Sequence, residues 1–128
     1  MMSPTNFIQS WLNAVGSHNV EAVLAHYTRD AILIPTLGKR MLAGPELRTY
    51  FKMFLSKPKI SGVLDTIVIQ QGMDYVVCSG QYTFSYLEES CCRKGMTKVR
   101  VPARFSYVLA PTPNGGWLIR NHHSSKVP

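Results

Sequence analysis

The sequence predicts an α+β fold, with three helices followed by a strongly curved, mostly antiparallel sheet. Two observations predict it. As far as Pro58 the apolar residues recur mainly at helical spacing, whereas from Ile60 onward they alternate through long extended stretches. The later stretches are joined by Gln71-Gly72-Met73-Asp74, by Glu88 to Gly95 and by Pro111 to Gly116, all too short for crossover helices, so the strands run antiparallel.

Ser3 caps a first helix with Pro4 at its opening position, and Phe7, Ile8, Trp11, Leu12 and Val15 fall on one face until Gly16 ends it. Asn19 caps a second, shorter helix in which Val20, Val23, Leu24 and Tyr27 share a face. Asp30 to Pro35 is a short β-branched strand, followed by the glycine and basic loop Leu37-Gly38-Lys39-Arg40. Gly44-Pro45-Glu46 opens a third helix with Leu47, Tyr50, Phe51, Phe54 and Leu55 on its apolar face and Arg48 and Lys52 on a separate stripe. Lys57-Pro58 stops it. Four strands are then expected at 60–70, 75–87, 96–110 and 117–124. In the second, Ser79, Gln81, Thr83 and Ser85 alternate with Cys78, Gly80, Tyr82, Phe84 and Tyr86; in the third, Lys98, Arg100, Pro102, Arg104 and Ser106 alternate with Val99, Val101, Ala103, Phe105 and Tyr107.

The chain has 128 residues, 45% of them hydrophobic, which fits one domain spanning 1–128. No apolar run approaches the ~20 residues of a membrane span, and Met1 to Trp11 shows neither a basic leader nor a continuous hydrophobic stretch, so a soluble, unprocessed protein is expected. Cys78, Cys91 and Cys92 make an odd count with two neighbours, a pattern suited to a reducing cytoplasm. A net charge of +7, from 14 Lys and Arg against 7 Asp and Glu, points to nucleic acid or an anionic small molecule, or simply to a solvated basic surface. No phosphate loop, dinucleotide fingerprint or metal motif is present, so no cofactor or metal is expected.

The opening helix with Trp11, the stretch Tyr27-Thr28-Arg29-Asp30-Ala31, the Gly44-Pro45 helix start and the closing Gly115-Gly116-Trp117-Leu118-Ile119 follow one another in an order that resembles the nuclear-transport-factor-2-like (NTF2-like) superfamily. That superfamily has a cone-shaped α+β fold and includes SnoaL-like and ketosteroid isomerase-like proteins. Within it, Trp117 to Pro128 is similar to the ending of the calcium/calmodulin-dependent protein kinase II association domain, with His123, Ser125 and Pro128 at matching positions. The kinase is absent, so calmodulin and phosphoryl transfer are not implied. The resemblance implies a pocket lined by basic side chains. Arg104 falls where one pocket arginine is expected, Gln81 and Ser124 stand in place of two others, and Arg48 is near a family histidine on the third helix.

The residues themselves leave alternatives open. By alternation Arg104 shares a face with Lys98 and Arg100 and reads equally as a solvated charge, although Pro102 offers a bulge that would re-aim it. His122 and His123 point to opposite faces, which excludes a shared metal; the family match favours His123 as the cavity-facing hydrogen-bonding group or base, against a structural role. Trp11, Tyr27 and Tyr107 line a cavity or belong to the core, and Gln81 is a cavity group or part of an exposed face. The Cys91-Cys92 pair beside Arg93-Lys94 is read as an exposed hairpin tip.

Three functions follow from this reading. The first is a small-molecule-binding association domain that forms homodimers or larger homo-oligomers and takes a small anionic ligand such as a carboxylate. The second is an isomerase, cyclase or dehydratase with His123 as base and Arg104 or Tyr27 polarising the substrate. The third, nucleic-acid binding through Lys52, Lys57, Lys59, Lys94, Lys98 and Arg100, lacks base-reading and stacking signatures and ranks below the others.

Overall fold

The computed structural model describes residues 2–89 and 95–128. Of the expected tip Glu88 to Gly95, residues 90–94, with Cys91, Cys92, Arg93 and Lys94, lie outside them. Helices α1 (Pro4–Gly16), α2 (Val20–Leu24) and α3 (Glu46–Phe54) pack on strands β1 (Tyr27–Ile34), β2 (Leu42–Ala43), β3 (Ser61–Gln71), β4 (Val76–Glu89), β5 (Met96–Pro111) and β6 (Trp117–Lys126). The expected α+β class holds. No helix among the described residues is long and apolar enough to cross a membrane.

The six-stranded sheet has the order β2-β1-β6-β5-β4-β3. The β3–β4, β4–β5 and β5–β6 pairs are antiparallel, and β1 runs parallel to β6, which brings the first and last strands together at the centre. Ser3 accepts a hydrogen bond from the Asn6 amide at 3.1 Å and Asn19 from the Ala22 amide at 3.2 Å, so both predicted caps start their helices. Gly44 takes φ +54°, a conformation open to glycine, and turns the chain from β2 into α3.

The core lies between the helices and the inner sheet face. Phe7, Ile8, Trp11, Leu12 and Val15 of α1 and Leu47, Tyr50, Phe51 and Phe54 of α3 meet Val76, Cys78, Tyr82 and Phe84 of β4 and Val101, Ala103, Phe105, Tyr107 and Leu109 of β5. A register shift between Leu64 and Thr66 presses β3 onto β4 at Gly80. A Cβ there would stand 2.0 Å from the Thr66 carbonyl oxygen, so this inward position admits only glycine.

Three local expectations change. Tyr27 begins β1, because α2 stops at Leu24; its side chain still points inward, since the helical and strand frames agree on that direction here. The two-residue β2 was not expected, since Leu42 and Ala43, between the loop ending at Arg40 and the helix start at Gly44, were given no element. Pro102 carries no bulge between β4 and β5, where it pairs in continuous register with Thr83; the irregularity between β5 and β6 falls instead opposite Val108 and Leu109, where β6 carries Arg120 as an extra residue.

Candidate functional site

Beneath α1, side chains from five segments meet in one buried chain of hydrogen bonds. The Trp11 indole donates to the Tyr27 hydroxyl at 3.1 Å, and that hydroxyl lies 2.8 Å from His122 Nδ1. His122 Nε2 is 3.0 Å from the Tyr82 hydroxyl, which donates to Ser124 Oγ at 2.7 Å; Ser124 in turn contacts Thr36 Oγ1. Tyr82 spends its one proton on Ser124, so the neutral imidazole of His122 carries its proton on Nε2, donating to Tyr82, and accepts the Tyr27 proton at Nδ1. The Tyr107 ring stacks on the imidazole at 3.9 Å and 16°. Its hydroxyl is buried and has no partner among the described residues.

Burial, reinforced by the neighbouring His123, holds His122 at a pKa of about 3, far below the ordinary histidine range. Burial likewise pushes the Tyr27 and Tyr107 phenols well above theirs and raises Tyr82. At neutral pH the interior is therefore polar and uncharged. A residual cavity of about 10 Å³ between Thr36, Tyr50, Phe54, His122 and Ser124 has room for about one water. Pro35 and Tyr50 also border a surface groove of about 470 Å³ whose rim carries Lys39, Arg40 and Glu46. The Tyr50 hydroxyl accepts from the Leu37 amide at 3.3 Å and so ties the loop after β1 to α3. Chemically, this assembly is a neutral, hydrogen-bonded interior with room for about one water, beside a surface groove large enough for a small molecule.

The family model of the calcium/calmodulin dependent protein kinase II association domain matches residues 4–128. The chain belongs to this family. A Xanthomonas campestris structure described as such an association domain is 33% identical, with a TM-score of 0.83 over 97% of this chain and 85% of that one. The S. rosetta CaMKII hub shares the fold at 13% identity and a TM-score of 0.79, covering 99% of both chains. A Streptomyces avermitilis protein described as a dehydratase of the NTF2-like family shares it at 14% identity and a TM-score of 0.79, covering 98% of this chain and 99% of that one. No curated protein matches the sequence.

In this association domain the structure brings Trp11, Tyr27, Tyr107 and Ser124 together at the interior chain. It does not bring Arg104, His123 or Gln81 there. All three are exposed on the outer sheet face, in the adjacent rows Gln81–Arg104–Ser125 and Ser79–Ser106–His123. The reason is strand alternation uninterrupted at Pro102, since Ala103 and Phe105 face inward on either side of Arg104. Arg104 reaches Ser125 Oγ at 3.5 Å and shares a shallow surface pocket of about 270 Å³ with Ser106 and His123.

The expected inward histidine is thus corrected from His123 to His122, which is 2% exposed. Arg48 also lies outside, in a salt bridge in which its two terminal guanidinium nitrogens donate to Glu21, which raises the Arg48 pKa. No Lys or Arg is buried among the described residues, so the interior is not basic as expected. Sequence reasoning missed His122, Tyr82 and Thr36 as site residues. The signal for Tyr82 was its hydroxyl on the apolar face of a strand, where a buried phenol needs a partner. Among the described residues no group of three His, Cys, Asp or Glu could hold a metal.

Proposed function

We infer that the protein is an association domain that assembles into homodimers or larger homo-oligomers through its outer sheet face. The observation that carries this reading is the composition of that face. Val63 and Val68 are each 63% exposed, and they adjoin a field of small polar side chains, Thr66, Ser79, Gln81 and Ser106, on a sheet that no helix covers on that side. Membership of an association-domain family and the fold shared with a hub support it. Sedimentation equilibrium at micromolar concentration is expected to give a dimer or larger species, and a monomer at all concentrations would refute the reading. Cytoplasmic residence belongs to the same reading, supported by the buried free thiol of Cys78.

A small carboxylate is, on this reading, held in the surface groove of about 470 Å³, where Lys39 supplies positive charge and Tyr50 lines the wall, since the interior cavity of about 10 Å³ takes no more than a water. A second reading, an isomerase, cyclase or dehydratase, is favoured by one observation: two tyrosine hydroxyls on either side of a neutral imidazole, groups that would polarise a carbonyl. If it holds, exchange of the α-proton of a bound ketone, followed by NMR, falls about 100-fold or more in His122→Ala. Equal exchange in both proteins would rule it out.

A further inference from the structure

Asp30 is paired with Arg120, and Glu88 and Glu89 lie at the far end of β4, which leaves Asp65 as the acid beside the middle of β4, and its position defines how two copies would meet. Asp65 is the extra residue at the β3 irregularity between Leu64 and Thr66; it is exposed and accepts a hydrogen bond from Thr83 Oγ1 at 2.7 Å through one carboxylate oxygen. Its other oxygen has no protein partner among the described residues. Arg104 is exposed in the adjoining row, and its recorded side-chain contact is the long one to Ser125. The two charges flank β4 on opposite sides, because Gln81 pairs with Thr66 on β3 and with Arg104 on β5. Each is about one strand spacing, ~4.8 Å, from the β4 line. No salt bridge joins them within the protomer.

This layout is self-complementary. A twofold axis parallel to the strands and lying beneath Gln81 carries β3 of one copy over β5 of the other, at the same height along the strands. The geometry points to a reciprocal ion pair between Asp65 of each subunit and Arg104 of the other, formed twice across the homodimer. It rests on the oligomerisation reading above and specifies its partner, a second copy of this chain, and its register. The pair has a specific task. Each copy bears +7, and Lys98 and Arg100 share the face with Arg104, so two such faces repel unless the acid meets the cation.

The test is charge reversal in the full chain, with dimer dissociation constants measured by sedimentation. Asp65→Lys and Arg104→Glu each weaken the dimer about 100-fold, and the double variant recovers to within about tenfold of wild type. Asp65→Lys with Arg100→Glu does not recover. Asp65→Asn, which keeps the Thr83 hydrogen bond available, weakens the dimer about tenfold and serves if the lysine variant misfolds. A dimer unaffected by the single reversals, or weakened by them but not restored by the swap, overturns the pairing and leaves oligomerisation standing. A monomeric wild-type protein removes both.

Discussion

Trp11→Ala lowers the unfolding free energy by about 3–5 kcal/mol, a loss large against the ~5–15 kcal/mol total of a domain this size. Urea denaturation followed by circular dichroism measures it. The effect is large because the indole sits at 2% exposure among the rings of Phe51, Tyr82, Phe84, Tyr107 and His122, five contacts that no neighbour can replace. It also gives the hydrogen-bond chain its first proton. Tyr27→Phe keeps the ring and removes only the hydroxyl, leaving the indole N–H and His122 Nδ1 without that partner. Its cost is smaller, about 1–3 kcal/mol. A Trp11→Ala protein as stable as wild type would mean that the helix does not close the core as described.

Acidification destabilises the fold through His122 before the carboxylates contribute. The folded pKa is about 3 and the ordinary value 6.5, so between those limits the unfolded chain binds a proton that the native protein refuses. Stability therefore falls as pH drops, at about 1.4 kcal/mol per unit, or about 2 kcal/mol between pH 7 and pH 5. His26, lowered mainly by burial, adds to the loss in the same direction. Glu21 and Glu46, whose arginine partners hold them below 4.5, act at lower pH. The check is the slope of unfolding free energy against pH in His122→Phe: the variant is less stable overall, yet its slope between pH 7 and 5 is flatter than wild type. An unchanged slope would show that His122 titrates normally in the native state.

The course of the chain was legible because its signals are local and redundant. The Ser3 and Asn19 caps, the Lys57-Pro58 stop and the long alternations of β4 and β5 each act within a few residues. The site was legible only in part. Alternation separated His122 from His123 correctly, but which one faces inward depends on pairing with β5 across an irregularity at Val108 and Leu109, a long-range fact. For Arg104 the elementary reading, a charge opposite Ala103 and Phe105, was the better guide, and family position pointed inward instead. Thr36 lay in a loop with no pattern to mark it. Only the meeting of β6 with that loop makes it a partner of Ser124.

The indole at the head of the buried hydrogen-bond chain has a consequence for the whole interior. A file of hydroxyls and one imidazole can ordinarily point either way, with both imidazole tautomers in exchange. Trp11 can only donate, which favours Tyr27 as the donor to His122 Nδ1, the same sense that Tyr82 sets by donating to Ser124. The interior behaves as a one-way street whose exit is the loop at Thr36. Trp11→Phe, which keeps an aromatic ring but not the N–H, removes one of these two controls, and the two imidazole nitrogens then exchange roles more often in nitrogen-15 spectra of His122.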